Sequence, residues 1–318
     1  MVKQFLALSV AAMFMLIPPP VSAEQSAAEN YRQLINSGKF FLEYSQKTDL
    51  KDKKSSMSRY MAAIEKYDVG GKQIAYSNGR KIFYSKMRSL DSVKGESSTN
   101  YQKYLPVALY KDGKYYQFYG KDKAIVGEEQ YFSADYTDPS ENWNSIKSEL
   151  ELPAFLGALL PDNPNISFIG GIKDKLQLKN VSTFIESGTA KIFGQTFNYD
   201  KYSVKKFNSD GTKLGKFTDP RTGKKYDADF TETYTFYYNA NGELKYVKED
   251  GRFSNTNARV NAQKNSGMFT GEIYISIEKF TGDIPTGFFS FPKGCKVYQM
   301  DMGTLADLLD AKEIVEQY

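Results

Sequence analysis

Short glycine-bearing turn signals between strand-like runs restrict this chain more than any other feature. Gly70-Gly71, Asn78-Gly79, Asp112-Gly113, Asp210-Gly211 and Asn241-Gly242 interrupt runs rich in Tyr, Phe, Ile, Val and Thr. Two-residue Asn-Gly and Asp-Gly connections suit type I′ turns, which need positive φ at both central residues and join antiparallel neighbours. The sequence predicts tight hairpin tips at Asn78-Gly79, Asp112-Gly113 and Asn241-Gly242, and a long antiparallel meander around them.

The stretch TETYTFYYNANGELKYVKED, 231–250, shows what one such hairpin presents. Side chains alternate across a strand. Glu232, Tyr234, Phe236 and Tyr238 therefore share one face, and Thr231, Thr233, Thr235 and Tyr237 share the other. One face is largely aromatic, the other largely small and polar. With 24 Tyr and 22 Phe in the chain, such faces fill a core, line a cavity, or do both.

Helical patterns interrupt the meander at three places. SAAENYRQLINSGKF carries Ala27, Ala28, Tyr31, Leu34 and Ile35 at helical spacing and stops at Gly38. FFLEYSQ then opens the first strand; the lysine-rich 47–59 reads as a solvated loop, and SRYMAAIEKYDV as a strand-like run before Gly70-Gly71. The insertion TDPSENWNSIKSELELPAFLGALLPDNP breaks at Pro153, which the first turn of a second helix tolerates. That second piece is apolar almost all round, with Phe155, Leu156, Leu159 and Leu160, so something must cover it. MGTLADLLDAKEIVEQY closes the chain as an amphipathic helix at 303–318. The fold class is mainly β (α+β): many antiparallel strands, one internal helical excursion and helices at both ends, which a single curved antiparallel sheet wrapped around helices fits. Two β subdomains parting near 163–180 fit the same pattern.

The first residues place the chain outside the cytoplasm. Lys3, the apolar run FLALSVAAMFMLI, PPP and Val21-Ser22-Ala23 read as a signal peptide over 1–23, cut before Glu24. No later run reaches the ~18–20 apolar residues of a membrane helix. The expectation is an exported protein of the periplasm or cell envelope, or a secreted one. The formal net charge of +4 falls to +3 without Lys3, giving no push toward nucleic acid.

The chemistry is narrow. There is no histidine, which removes His-based acid–base and nucleophile pairs and the usual zinc sites. Cys295 stands alone, so no internal disulfide forms, and its FPKGCKV setting suits a buried thiol. Glu128-Glu129, Glu149/Glu151 and Asp227/Asp229 read as solvated carboxylates, and Ser203-Val-Lys-Lys206 as a chance match in a lysine-rich chain. The chain reads as non-enzymatic, without metal or cofactor.

The order of segments resembles the LolA/LppX superfamily of lipoprotein and lipid carriers. NYRQLINSGKFFLEYSQ looks like its helix-to-first-strand opening, SGTAKIFGQTFNYDKYSV like its mid-chain strand pair, and IEKFTGDIPTGFFSFPKGCKVYQMDM like its last strands with their Phe-x-x-Pro-x-Gly close. The resemblance implies an incomplete β-barrel closed by helices, a half-barrel domain over 24–302, and the binding of a lipid, a lipoprotein acyl chain or another apolar ligand, with transient contact at a membrane surface. The alternative is a structural or interaction module of the bacterial cell envelope with a self-filled core. Candidate ligand-binding residues are Phe155, Leu156 and Leu159 on the insertion helix and Tyr234, Phe236 and Tyr238 on the quoted strand.

Overall fold

The computed structural model describes residues 27–51, 56–66, 70–77, 82–87, 104–112, 114–119, 122–128, 153–160, 179–207, 211–213, 215–218, 223, 225–227, 230–253 and 271–299. The leader 1–23, the first half of the insertion helix, most of the polar stretch 252–267 and the terminal helix 303–318 lie outside the described residues.

Three helices are described: α1 (Ala27–Asn36), α2 (Ser56–Lys66) and α3 (Ala154–Ala158). The strands are β1 (Lys39–Leu50), β2 (Lys72–Ser77), β3 (Ile82–Met87), β4 (Leu105–Lys111), β5 (Lys114–Tyr119), β6 (Lys123–Glu128), β7 (Lys179–Ile192), β8 (Gln195–Phe207), β9 (Lys216–Thr218), β10 (Lys225–Asp227), β11 (Phe230–Tyr238), β12 (Leu244–Phe253), β13 (Gly271–Thr281) and β14 (Lys296–Gln299). Twelve of them form one sheet in the order β14-β6-β5-β4-β3-β2-β1-β13-β12-β11-β8-β7, and β9 pairs with β10 separately. The sheet is open, with β14 and β7 at its ends. Strands before and after 163–180 belong to this one sheet, so the chain does not adopt the two-subdomain arrangement.

The topology is two meanders laid side by side. β1 to β6 run outward in sequence order; the chain restarts at the far edge with β7 and returns through β8, β11 and β12 to β13, which pairs antiparallel with β1. One pairing departs from the antiparallel expectation: β14 lies parallel to β6. Parallel neighbours need a crossover, and 282–295 supplies it across one face of the sheet. Phe288, with Ile284, Phe289, Phe291 and Cys295, packs there on Phe41, Ala75, Leu109, Phe118 and Ala124. Gly287 and Gly294, both at positive φ, sit at the third positions of turns closed by Phe288 N–H to Pro285 O and Cys295 N–H to Pro292 O. The Phe-x-x-Pro-x-Gly segment is thus a strap over the outer face.

Because the middle of the sheet is covered on both sides, its strands lose clean alternation. Phe40 and Leu42 face the inner cluster and Phe41 the strap; in β4, Ala108 and Tyr110 face in and Leu109 out. β11 also has two buried sides: Thr235 and Tyr237 are buried, contrary to a merely small and polar outer face. Tyr237 packs with Ile192, Phe197 and Tyr274 in an outer cluster. Phe193 joins that cluster from the two-residue turn between β7 and β8, with φ 49 beside Gly194 at φ 78. A bulky residue in the left-handed region is costly. Here ring contacts at 5.1 Å to both Tyr246 and Tyr274 offset the cost.

Two local expectations change. Residues 47–50 continue β1, and 56–66 form α2 rather than loop and strand. Met57, Met61 and Ile64 recur at helical spacing, Ser58 and Met61 are buried, and the Glu65 carboxylate accepts from Thr48 N–H. The hairpin tips also differ in kind. Asp112 has φ 53 and Lys111 pairs with Lys114, as a two-residue turn requires. Ser77 pairs with Ile82 around Asn78-Gly79, which itself lies outside the described residues. At Asn241-Gly242, however, Gly242 N–H bonds Asn239 O at 2.9 Å and only Gly242 has positive φ. That is a type I turn followed by a left-handed glycine, a three-residue connection, with Asn239 Oδ1 accepting from Asn241 and Glu243 N–H.

At Gly242, conformation rather than space opposes a side chain. An added Cβ would meet only Ala27 Cβ, at 3.7 Å, an ordinary contact, whereas φ is +76. Gly242→Ala is expected to destabilise the protein by about 1–2 kcal/mol, read as a lower denaturant midpoint with an unchanged slope.

Candidate functional site

The inner face of the sheet carries every residue singled out on the aromatic strand and the insertion helix. Tyr234, Phe236 and Tyr238 of β11 and Phe155, Leu156 and Leu159 of α3 belong to one buried cluster. Phe40 and Leu42 of β1, Ile74 of β2, Ala108 and Tyr110 of β4, Tyr202 and Val204 of β8, Val247 of β12 and Ile277 of β13 belong to it as well. The β11–β8 register sets Tyr234 opposite Tyr202 and Phe236 opposite Asp200. A slip of one residue would turn the whole aromatic row to the other side. A bulge in the β1–β13 register, where Glu43 pairs with Lys279 and Tyr44 with Ile277, changes the phase of β13. Ile277 and Phe280 thereby both reach the inner cluster.

Two of the described helices lie on this face. α1 contributes Ala28 and Ile35, with Ala27, Tyr31 and Leu34 packed beside them. Tyr31 stacks on Phe280 at 5.2 Å and on Tyr238 at 6.2 Å, and its hydroxyl accepts from Leu244 N–H at 2.8 Å. α3 is only five residues long, yet 155–160 are all buried. Its last carbonyls lack helical partners, and distant side chains satisfy two of them. Arg32 Nε donates to Leu159 O at 2.7 Å, and Ser182 Oγ donates to Ala158 O at 2.5 Å. The Arg32 guanidinium also donates to Tyr202 Oη at 3.0 Å and pairs with Glu29 at 3.2 Å.

Polar groups punctuate the apolar row on β11. Glu232 is buried and accepts from the Tyr234 hydroxyl at 2.8 Å. Burial first, then the Glu232 and Glu249 charges, push the Tyr234 phenol far above its ordinary value. At the other end Tyr238 is pushed far up by burial, reinforced by Asp200 and neighbouring phenols and opposed by Arg32. Tyr31 and Tyr202 are also raised, each mainly by burial. Among the described residues no group of three or more Cys, Asp or Glu side chains could hold a metal ion, and no helix is long and apolar enough to cross a membrane. Burial raises the Cys295 thiol, as does Asp122.

Periodicity singled out the apolar contributors on α1, α3 and β11; those on the other strands, and the polar residues that hold the cover, were not singled out. Arg32 falls on the stripe Ala28–Arg32–Ile35, the buried side of α1, and a charge at such a position was the available signal. Tyr202 lies opposite Tyr234, and nothing local marks Ser182 as a cap. Comparison with known proteins finds no family whose pattern matches this chain and no curated sequence that matches it.

Two expected outcomes follow from the geometry. Arg32→Ala leaves the buried Leu159 carbonyl without its donor. It should cost about 1–3 kcal/mol and accelerate amide exchange over 154–160 more than in β1 and β13. For the raised phenols the stabilisation is present in full below the unfolded value of about 10 and is lost as pH climbs toward the higher folded values. Alkaline titration should therefore show buried tyrosinate absorbance rising together with loss of the far-ultraviolet circular dichroism signal, not before it.

Proposed function

We propose that the protein is a non-enzymatic exported carrier whose inner sheet face, curved into a half-barrel and closed by α1 and α3, binds the acyl part of a lipid or lipidated protein. The observation that carries this reading is the character of α3. A five-residue helix with an apolar surface all round lies on the aromatic face, anchored by two hydrogen bonds from side chains of other elements. A cover of this kind can be displaced by another apolar body without unpairing a strand. The resemblance to the LolA/LppX superfamily points the same way. Delivery from such a face would involve brief contact with a membrane surface or a lipidated partner.

The competing reading is an envelope interaction module whose inner face is permanently filled by its own side chains. Complete burial of Phe155, Leu156 and Leu159 with Tyr234 and Phe236 suits both readings, and one variant distinguishes them. Phe155→Glu places a charge on the cover. In a carrier it should abolish binding of a fluorescent fatty acid while the sheet's circular dichroism persists. In a filled module the wild type binds no probe and the variant unfolds outright. Absence of wild-type binding to any acyl probe would sink the carrier reading.

A further inference from the structure

Tyr238 is 2 % exposed, and among the described residues its hydroxyl has no hydrogen-bond partner. Neighbouring inner-face phenols are satisfied: Tyr31 by Leu244 N–H, Tyr202 by Arg32 and Tyr234 by Glu232. A buried hydroxyl without a partner destabilises the folded state, and phenylalanine would fill the same volume without that cost. The position calls for a group that the hydroxyl can meet.

The surroundings define the chemistry of that group. Burial and the nearby Asp200 keep the phenol protonated, so it is a donor. Arg32, whose charge acts on this phenol, is already engaged by Glu29, Leu159 O and Tyr202, and the Asp200 charge acts on it with the opposite sign. Among the described residues a carboxylate or phosphate would meet no spare positive charge here; an ammonium would meet Arg32. A neutral oxygen acceptor fits both constraints. From Tyr238 the apolar row continues along β11 through Phe236 to Tyr234, beside Phe155 and Leu156 in the same cluster. It ends at Glu232, six residues or ~20 Å away at the usual rise of a strand.

We propose that the Tyr238 hydroxyl is the polar subsite of the inner face, donating a hydrogen bond to the carbonyl oxygen of an acyl ester or amide whose chain extends along Phe236 toward Tyr234. The assignment rests on the carrier reading and deepens it: the cargo is a neutral acyl derivative, not a free fatty acid.

The test uses the full chain, wild type and Tyr238→Phe, with cis-parinaric acid and its methyl ester as fluorescent probes and thermal melts without probe. Wild type should bind the ester about five- to tenfold more tightly than the acid. Tyr238→Phe should lose that preference by weakening the ester alone, while the probe-free variant melts about 2–4 °C higher. A variant melting at or below the wild-type temperature shows a hydroxyl already satisfied, as by a buried water, and overturns the assignment. So does equal or tighter wild-type binding of the acid, or an ester affinity unchanged by the substitution. If neither probe binds wild type, the carrier reading fails and the subsite with it; if the acid binds but the variant behaves like wild type, only the subsite fails.

Discussion

The pairing of β1 with β13 is the constraint on which the rest of the structure depends. It runs from Phe41 opposite Thr281 to Leu50 opposite Gly271 and joins two meanders that each contain only local connections. Without it there are two smaller sheets, each with a raw edge. With it, the inner faces of both meanders become one surface, and α1, which leads directly into β1, is brought beside Tyr238, Leu244 and Phe280. Closing so long a loop is less prohibitive than its length suggests, since each doubling adds only about 0.6 kcal/mol. Burial of Phe40, Phe41 and Leu42 at about 1.5–3 kcal/mol each outweighs that term. The pairing also carries a kinetic cost, because contacts between residues far apart in sequence slow folding.

A sheet so built has two apolar faces, and the chain covers them by different means. On the outer face the strap at 282–295 runs directly from β13 into β14, shaped by two glycine-dependent turns and ending where Lys296 N–H bonds Asp122 O at 2.7 Å. Lys248 ties strands together farther along that face. Burial opposes its charge, but Glu272 at 2.8 Å and Asp250 at 3.4 Å hold its pKa above the ordinary value. On the inner face the cover is α1 and α3, and α3 is anchored through its terminal carbonyls. Cover woven into strand pairing is part of the sheet; cover held by caps is separable from it.

How much of this could be read in advance depended on whether the deciding interactions were local. Turn glycines and alternation along 231–238 are local, and they fixed the meander and the inward aromatic row of Tyr234, Phe236 and Tyr238. The turn type at Asn241-Gly242 was not legible, because Asn239 two residues earlier captures two backbone N–H groups and lengthens the connection. α2 was mistaken for strand because 57–64 is apolar enough for either period, and its burial of Ser58 and Met61 is tertiary. Phe193-Gly194 carried no turn signal, since phenylalanine is a poor residue for positive φ; the rings of Tyr246 on β12 and Tyr274 on β13 make it tolerable. Arg32, Ser182 and Tyr202 act across long sequence separations, where spacing conveys nothing. The aromatic face of the site was therefore in the sequence, and the clamp over it was not.

The same clamp sets the energetic scale on which a carrier of this design would operate. Phe155, Leu156, Leu159 and Leu160, buried at about 1.5–3 kcal/mol each, attach α3 with something on the order of 10 kcal/mol of apolar burial. The caps from Arg32 and Ser182 add about 1 kcal/mol each. An acyl chain gains about 0.8 kcal/mol per buried methylene, so a chain of about fourteen recovers a similar sum on the same surface. In a carrier, apolar burial alone would then leave the exchange of α3 for an acyl chain close to balance. A face that held cargo far more strongly than α3 could load but not release; one that held it far more weakly would stay closed. With the large terms nearly cancelling, the small polar ones would decide which state of such a carrier prevails: the Arg32 and Ser182 hydrogen bonds to the helix against whatever the Tyr238 hydroxyl meets in the cargo-bound state.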